Sequence, residues 1–443
     1  MHNLREASGA AAGADRQRAG RSAGGFTLRH LRWYICGLVC LATIINYLDR
    51  QVFSILAPDL QREIGWSELE YGRIVIAFQV AYAAMMLVSG RIIDRIGTKL
   101  SFSLAVTAWS AVEMAHALAR SAFGFGVARF SLALTEAANF PAAAKAVSEW
   151  FGPSERAFAT GIFISGVGAG AIVASLTVPP LAASVGWQWT FVLTGLLGFV
   201  WLIAWIFFYH TPQDHPWLTN EERALVPVHV GTASAASVPW ASLLGYRETW
   251  AYGLSKSLID PVFWFLMFWL PKFLAESHGI RGVAVVPYLT AVYICADIGS
   301  LTAGYVSSAL VKRGWSLNAA RKVTMIALTV VASPMIISAG LMRDPVLAIV
   351  LIAIAGGVHQ AWAAMVWTLP TDLFPSRATA TVAGIGAALA SVVSIVTAEF
   401  TGRYLNLHPG YYTPIFVVAG LLYPLALLAV HLCSPKLQQA RLP

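Results

Sequence analysis

Asn46-Tyr47-Leu48-Asp49-Arg50-Gln51 is the stretch whose reading decides the fold. It lies inside an apolar run that opens near Trp33 and closes near Leu56, long enough to cross a hydrocarbon core of ~30 Å as a helix. Charged side chains at that depth cost on the order of 2.5 to 3.5 kcal/mol each if lipid surrounds them. Asp49 and Arg50 are therefore expected to face a protein interior or an aqueous cavity, which makes both candidate functional residues. A second acid and base, Arg129 and Glu136, stand seven residues apart in a later apolar stretch, nearly two helical turns and so on one face. Two such pairs point to a polar route through a membrane.

Outward from that stretch the rest of the chain has the same character. Its 443 residues are 57% hydrophobic and 12% charged, with mean hydropathy +0.65, which excludes a water-facing globule. The reading is an all-α membrane protein. Apolar runs of spanning length fall at 33–56, 72–93, 99–119, 122–146, 157–180 and 188–210, and again at 251–275, 284–310, 322–342, 346–369, 377–400 and 411–433. They predict twelve transmembrane helices in two halves of six, an N-terminal domain over 33–210 and a C-terminal domain over 251–433. A polar linker at 211–250, carrying Pro212, Asp214, Pro216, Glu221, Glu222 and Arg223, separates the two. An Ala, Gly and Arg rich tail at 1–32 is expected to be disordered, and a short tail follows at 434–443. The first tail has no apolar h-region and does not read as a cleaved signal.

Lys and Arg placement sets the orientation. The first tail, the linker and the loops after even-numbered spans carry Arg5, Arg16, Arg18, Arg21, Arg29, Arg32, Arg91, Arg95, Lys99, Lys145, Arg156, Arg223, Arg247, Lys312, Arg313, Arg321, Lys322 and Arg377. The opposite side has Arg62, Arg73, Arg120, Lys272, Arg281, Arg343 and Arg403. Both termini are predicted to be cytoplasmic, in a multi-pass protein of the inner membrane. The net charge of +8 follows from this sidedness and calls for no nucleic-acid partner. Cys36, Cys40, Cys295 and Cys433 make no CxxC pair and no His cluster has zinc spacing, so neither a disulfide framework nor a metal site is expected. The strings HExxH, GxxxxGK[ST] and GxSxG do not occur, which argues against an enzyme.

The loop after the second span, Gly90-Arg91-Ile92-Ile93-Asp94-Arg95-Ile96-Gly97-Thr98-Lys99, resembles the G-x-x-x-D-[RK]-x-G-x-[RK] motif of the major facilitator superfamily. Two glycines suit a tight turn between close helices, and the Asp suits a helix N-terminus. A weaker echo, Gly304-Tyr305-Val306-Ser307-Ser308 followed by Lys312-Arg313-Gly314, supports an internal repeat. The role this resemblance implies for Gly90, Asp94, Arg95, Gly97 and Lys99 is a cytoplasmic gate that holds one conformation. Asn46 to Gln51, Thr135 to Pro141, Glu149-Trp150-Phe151 and Glu155-Arg156-Ala157 look like the anion:cation symporter family, which includes sialin. Asp260-Pro261, Phe268 to Lys272, Ala296 to Ser300 and His359-Gln360-Ala361-Trp362 resemble its bacterial hexuronate branch. The resemblance implies uptake of a sugar-acid anion with protons, with no cofactor beyond the proton gradient and, as partners, the anion, protons and the bilayer around a monomer.

Asp49 and Glu136 are the candidate proton carriers, because desolvation raises a carboxylate pKa, a nearby Arg lowers it, and the balance can be moved. A permanently paired ion joining two helices is the plainer reading of each. Arg50 and Arg129 each suit a substrate carboxylate in two-bond geometry. The resemblance favours Arg50 as the anchor and leaves Arg129 to pair with Glu136. Asn46 lies one turn from both Asp49 and Arg50, while Tyr47 and Tyr82 offer hydroxyls and Gln79 precedes Tyr82 by three. In the second half Lys256 and Asp260 are spaced to pair with each other. Trp264, Phe265, Trp362 and Trp367 suit an apolar wall, or packing between helices, and His359 and Gln360 are placed near the midplane as pocket residues.

The chain departs from hexuronate-like sequences where it reads Ile164, Val167 and Gly168 in the fifth span and Met365 in the tenth. Fewer hydrogen-bond donors penalise a polyhydroxylated ligand. The sequence therefore predicts a proton symporter for an organic monocarboxylate, glucuronate, galacturonate or a related sugar acid. A less hydroxylated or aromatic acid stands as the alternative, and a non-transporting receptor as the alternative of another class.

Overall fold

The computed structural model describes residues 28–66, 68–226, 238–280, 286–408 and 410–442. The first half is built from α1 (Leu31–Ile64), α2 (Glu68–Ile96), α3 (Thr98–Ala115), α4 (Ala122–Glu136), α5 (Asn139–Trp150) and α6 (Pro153–Phe208). The linker carries α7 (Asn220–Leu225) and α8 (Trp240–Leu243). The second half comprises α9 (Arg247–His278), α10 (Val286–Lys312), α11 (Leu317–Ala339), α12 (Pro345–Leu373), α13 (Ser376–Leu407) and α14 (Thr413–Cys433). The long α6 is two helices, 153–185 and 187–208, broken at Gly186, whose φ of 83° suits a residue without a Cβ. The fourth span is likewise two helices, α4 and α5. Pro141, in the first turn of α5, has no N–H to give Ala137, so the backbone turns just after Glu136. Counted in this way, the helices make the twelve spans that the sequence predicts.

Each half has its own buried core. One is centred on Phe102, Trp109, Trp201 and Trp205 and the other on Trp362, Phe416 and Tyr423. The outward faces carry exposed Leu100, Leu104, Val200, Phe207, Val330 and Leu432, an apolar surface that only a bilayer covers at low cost. The halves meet where α2 packs on α13 and α6 on α10. At Gly90 a Cβ would lie 2.1 Å from the Ala380 carbonyl oxygen, and at Gly161 one would lie 2.5 Å from that of Ser300. The expectation that both glycines of the loop motif serve a turn is thus corrected. Gly97, at φ 86°, makes the turn between α2 and α3, whereas Gly90 lets two helices from different halves touch.

The linker folds onto the start of the chain. Leu28 N–H donates to the Trp217 carbonyl at 3.1 Å, and Glu222 of α7 accepts from Leu31 N–H at 3.0 Å. We call this end of the bundle the linker side. The expectation of a disordered tail lies, for 1–27, outside the described residues, as do Arg281 and the side chain of Lys272. The second tail lies along the linker side of the second half, where Lys322 donates to the carbonyls of Ser434 and Pro435 at 2.9 and 2.7 Å.

Candidate functional site

A cavity of about 110 Å³ lies between the halves, far from either end of α1. From the first half it is lined by Tyr47, Arg50, Tyr82, Met86, Phe140, Ile164 and Val167. The second half contributes Lys256, Asp260, Phe263, Trp264, His359, Gln360, Ala363, Trp367, Ala387 and Ser391.

Arg50 organises the first wall. Its guanidinium carbon sits 4.7 Å from the ring centre of Tyr47, 4.5 Å from that of Tyr82 and 5.5 Å from that of Phe78, and its Nε donates to Glu136 Oε2 at 2.8 Å. Three aromatic faces and one carboxylate hold the cation at little entropic cost. The expected pairing of Glu136 with Arg129 is corrected here. Seven residues along one helix put those two groups on one face but about 10 Å apart along the axis, beyond a direct ion pair. Arg129 instead lies 4.9 Å over Phe53 and 4.4 Å over Phe78, and its Nε and Nη1 have no hydrogen-bond partner among the described residues. Asp49 and Asn46 are fully buried, none of their polar side-chain atoms has a partner among the described residues, and neither lines the cavity. They stand behind its wall.

On the facing wall Lys256 Nζ binds both oxygens of Asp260, at 2.9 and 2.7 Å, as their spacing predicts, and lies 4.5 Å over the ring of Trp367. His359 shares its Nδ1 with the Tyr423 hydroxyl at 2.8 Å. Three expected positions fall elsewhere. Trp362 is buried in the second-half core, its Nε1 donating to Thr329 at 3.0 Å, because the wider spacing to Trp367 turns it to the other face of α12. Gln79 lines a separate crevice with Val80 and Val396. Phe265 lines another, beside Phe400 and Val418. Of the four departures from the hexuronate pattern only Ile164 and Val167 reach the cavity. Met365 is in the core, and a Cβ on Gly168 would lie 2.3 Å from the Asp297 carboxylate. Met86, Phe140 and Phe263 line the cavity without having been singled out, since apolar residues on apolar helices give no signal in sequence.

Polar contacts tie the halves together on the linker side of the cavity. Asp94 accepts from Thr381 N–H at 2.7 Å and from its hydroxyl at 2.6 Å while holding Lys145 at 3.0 Å. Asp372 binds Arg321 at 2.8 Å and faces Arg156 at 3.6 Å, and Arg156 also donates to the Thr371 carbonyl at 2.6 Å. Glu155 takes Arg32 at 3.3 Å and Lys312 at 3.2 Å. Of the loop motif, Lys99 meets His210 Nε2 at 3.2 Å and Arg95 is exposed.

The family model of the Major Facilitator Superfamily matches residues 39–398. The chain belongs to this superfamily. It is 33% identical over 404 residues to a hexuronate transporter of Escherichia coli (strain K12), covering 89% of this chain and 92% of that one. A galacturonate transporter of Dickeya chrysanthemi is 32% identical over 287 residues, 63% of this chain and 83% of that one. The crystal structure of the superfamily transporter FucP in the outward conformation has the same fold, with a TM-score of 0.72 at 12% identity over 92% of this chain and 100% of that chain. These superfamily members are transporters, not enzymes, and the chain is a multi-pass membrane protein of their architecture.

Proposed function

We propose that the protein carries a sugar-acid monocarboxylate, glucuronate, galacturonate or a close relative, together with protons by alternating access. The observation that carries this reading is the shared use of Arg50, which lines the cavity and is bound to buried Glu136. A substrate carboxylate seeking two-bond contact with Arg50 competes with Glu136 for the same guanidinium. A buried carboxylate stripped of its partner costs about 3 to 5 kcal/mol, a penalty that a proton on Glu136 removes. Protonation and anion binding therefore favour one another, and neither ion crosses efficiently alone. Asp49, behind the wall, is the second acid in this scheme. With the linker side in the cytoplasm, the contacts of Asp94 and Asp372 close the inward path while the substrate arrives from outside, and their separation opens it.

The relatives' names support a sugar acid, and the polar groups of Lys256, Asp260, Gln360 and Ser391 suit ring hydroxyls. Ile164 and Val167 at the wall, with Trp264 and Trp367 opposite, favour a less hydroxylated acid as the second reading. Uptake of labelled glucuronate and galacturonate into proteoliposomes under an imposed inward proton gradient separates the two. Accumulation by wild type, lost in Glu136→Gln while exchange of substrate persists, is the expected result. Entry of neither acid at acidic external pH overturns the sugar-acid assignment and directs the assay to aromatic and short-chain acids.

A further inference from the structure

A buried acid and imidazole that the scheme above leaves unused lie behind Asp49. Glu113 in the last turn of α3 is fully buried, and neither of its oxygens has a hydrogen-bond partner among the described residues. His116, in the short helix that follows, is also fully buried. Its Nδ1 donates to the Val112 carbonyl at 2.9 Å and lies 3.7 Å from Glu113 Oε2, its ring stacks on Phe191 with centroids 5.0 Å apart, and its Nε2 is unpartnered. The charged neighbours of this pair come from every helix around it. α1 supplies Asp49 and α4 supplies Arg129 and Glu136, while Arg50 of α1 and Tyr71 of α2 stand beside Arg129. From α6 comes the ring of Phe191.

Charge arithmetic then decides the protonation of the group. Three buried carboxylates, Asp49, Glu113 and Glu136, face two guanidiniums, Arg50 and Arg129. Full ionisation would leave one uncompensated negative charge away from water, which is far more costly than holding one proton. Glu136 has its ion pair, so that proton falls to Asp49 or Glu113, the two acids whose oxygens are all unpartnered. Glu113 and His116 stand at the end of α3 remote from the linker side, whereas Asp49 is in the middle of α1.

We infer that Glu113, with His116 beside it, is a third proton site, which receives a proton from the face opposite the linker and hands it to Asp49. The inference rests on the proton coupling proposed above. In the transfer the O–H bond of Glu113 breaks as one forms on the Asp49 carboxylate, the Glu113 carboxylate is left to Arg129, and the cluster's charge is unchanged. His116 keeps its Nδ1 hydrogen on the Val112 carbonyl and stays a neutral neighbour of Glu113, and the incoming proton forms its O–H bond directly on the Glu113 carboxylate.

Two measurements on Glu113→Gln test the inference. Proton-driven uptake in proteoliposomes is expected to fall tenfold or more, with substrate counterflow at equal pH within twofold of wild type and with Glu113→Asp restoring driven uptake. Infrared spectra of the substrate-free protein, titrated in liposomes, are expected to lose one protonated-carboxyl band in Glu113→Gln. Driven uptake with an unchanged pH profile and an unchanged band overturns the third site and leaves the coupling scheme standing. So does loss of counterflow in both the Gln and the Asp variants, which marks a structural residue. If wild type itself exchanges substrate but ignores the proton gradient, the coupling scheme fails, and the site fails with it.

Discussion

Arg50 spends its five donors unevenly. Nε is given to Glu136 and Nη2 has no partner among the described residues, so aromatic rings occupy the planar face of the guanidinium while Nη2 keeps its donors for an incoming anion. A lysine in its place keeps the charge and loses both the flat stacking surface and the paired bonds. Arg50→Lys is expected to leave protein levels in the membrane unchanged and to weaken substrate affinity by tenfold or more, seen as a raised KM for exchange. An unchanged KM would mean that the anion is anchored elsewhere. At this scale the sequence was informative where charge stood at bilayer depth, as at Asp49, Arg50, Arg129 and Glu136. It was silent on which acid meets which base, because Arg50 and Glu136 lie 86 residues apart in the chain. Glu113 and His116 escaped notice because they close an apolar run beside a loop, where an acid and a histidine are ordinary. Their burial is a tertiary fact.

Among the elements, the linker segment shows how a loop acquires a fixed structure. His215 Nε2 lies 2.9 Å from the Phe208 carbonyl and its Nδ1 accepts from Trp217 N–H at 3.2 Å, so both ring nitrogens are engaged only in the neutral tautomer. Burial, and then the cationic neighbours Lys99 and Arg223 with His210, push His215 below the ordinary imidazole pKa. A histidine lowered in this way contributes stability that is fully present above its unfolded pKa of about 6.5 and is lost as pH falls through the lower folded value. Trp217 also receives Leu28 N–H, so loosening His215 loosens the grip on the chain's start. Hydrogen exchange over 213–226, corrected for the intrinsic rate, should therefore quicken several-fold in His215→Asn at neutral pH and quicken in wild type only on acidification. Equal protection of the two proteins at neutral pH would refute the clip. The spans themselves were legible from run length and hydropathy, and so was the pairing of Lys256 with Asp260 from helix periodicity. The break between α4 and α5 was not drawn, although Pro141 signals it, since an apolar run hides a local turn. The facing of Trp362 is not legible in sequence, because a helix hydrophobic all round has no period from which to choose a face.

For the whole molecule, the proposed alternating access makes transport a balance between two closed ends, and polar contacts join the halves on the linker side. The seal combines the bonds of Asp94 to Thr381 and of Arg156 to Asp372 and the Thr371 carbonyl with backbone contact at Gly90, where the neighbour is the Ala380 carbonyl and cannot rotate away. Gly90→Val therefore wedges α2 from α13 only when that end is shut. Overpacking of this kind costs about 1 to 3 kcal/mol, which shifts a two-state balance by roughly fivefold to over a hundredfold toward the form in which the helices are apart. Fully buried Ser300, at the other interhalf contact against Gly161, reports that shift. In a cysteine-free background carrying Ser300→Cys, Gly90→Val is expected to raise the rate of thiol labelling from the linker side at least fivefold and to lower gradient-driven accumulation. A labelling rate unchanged by the valine would show that α2 and α13 remain in contact through the transport cycle. The hinge of alternating access would then have to lie inside the halves rather than between them.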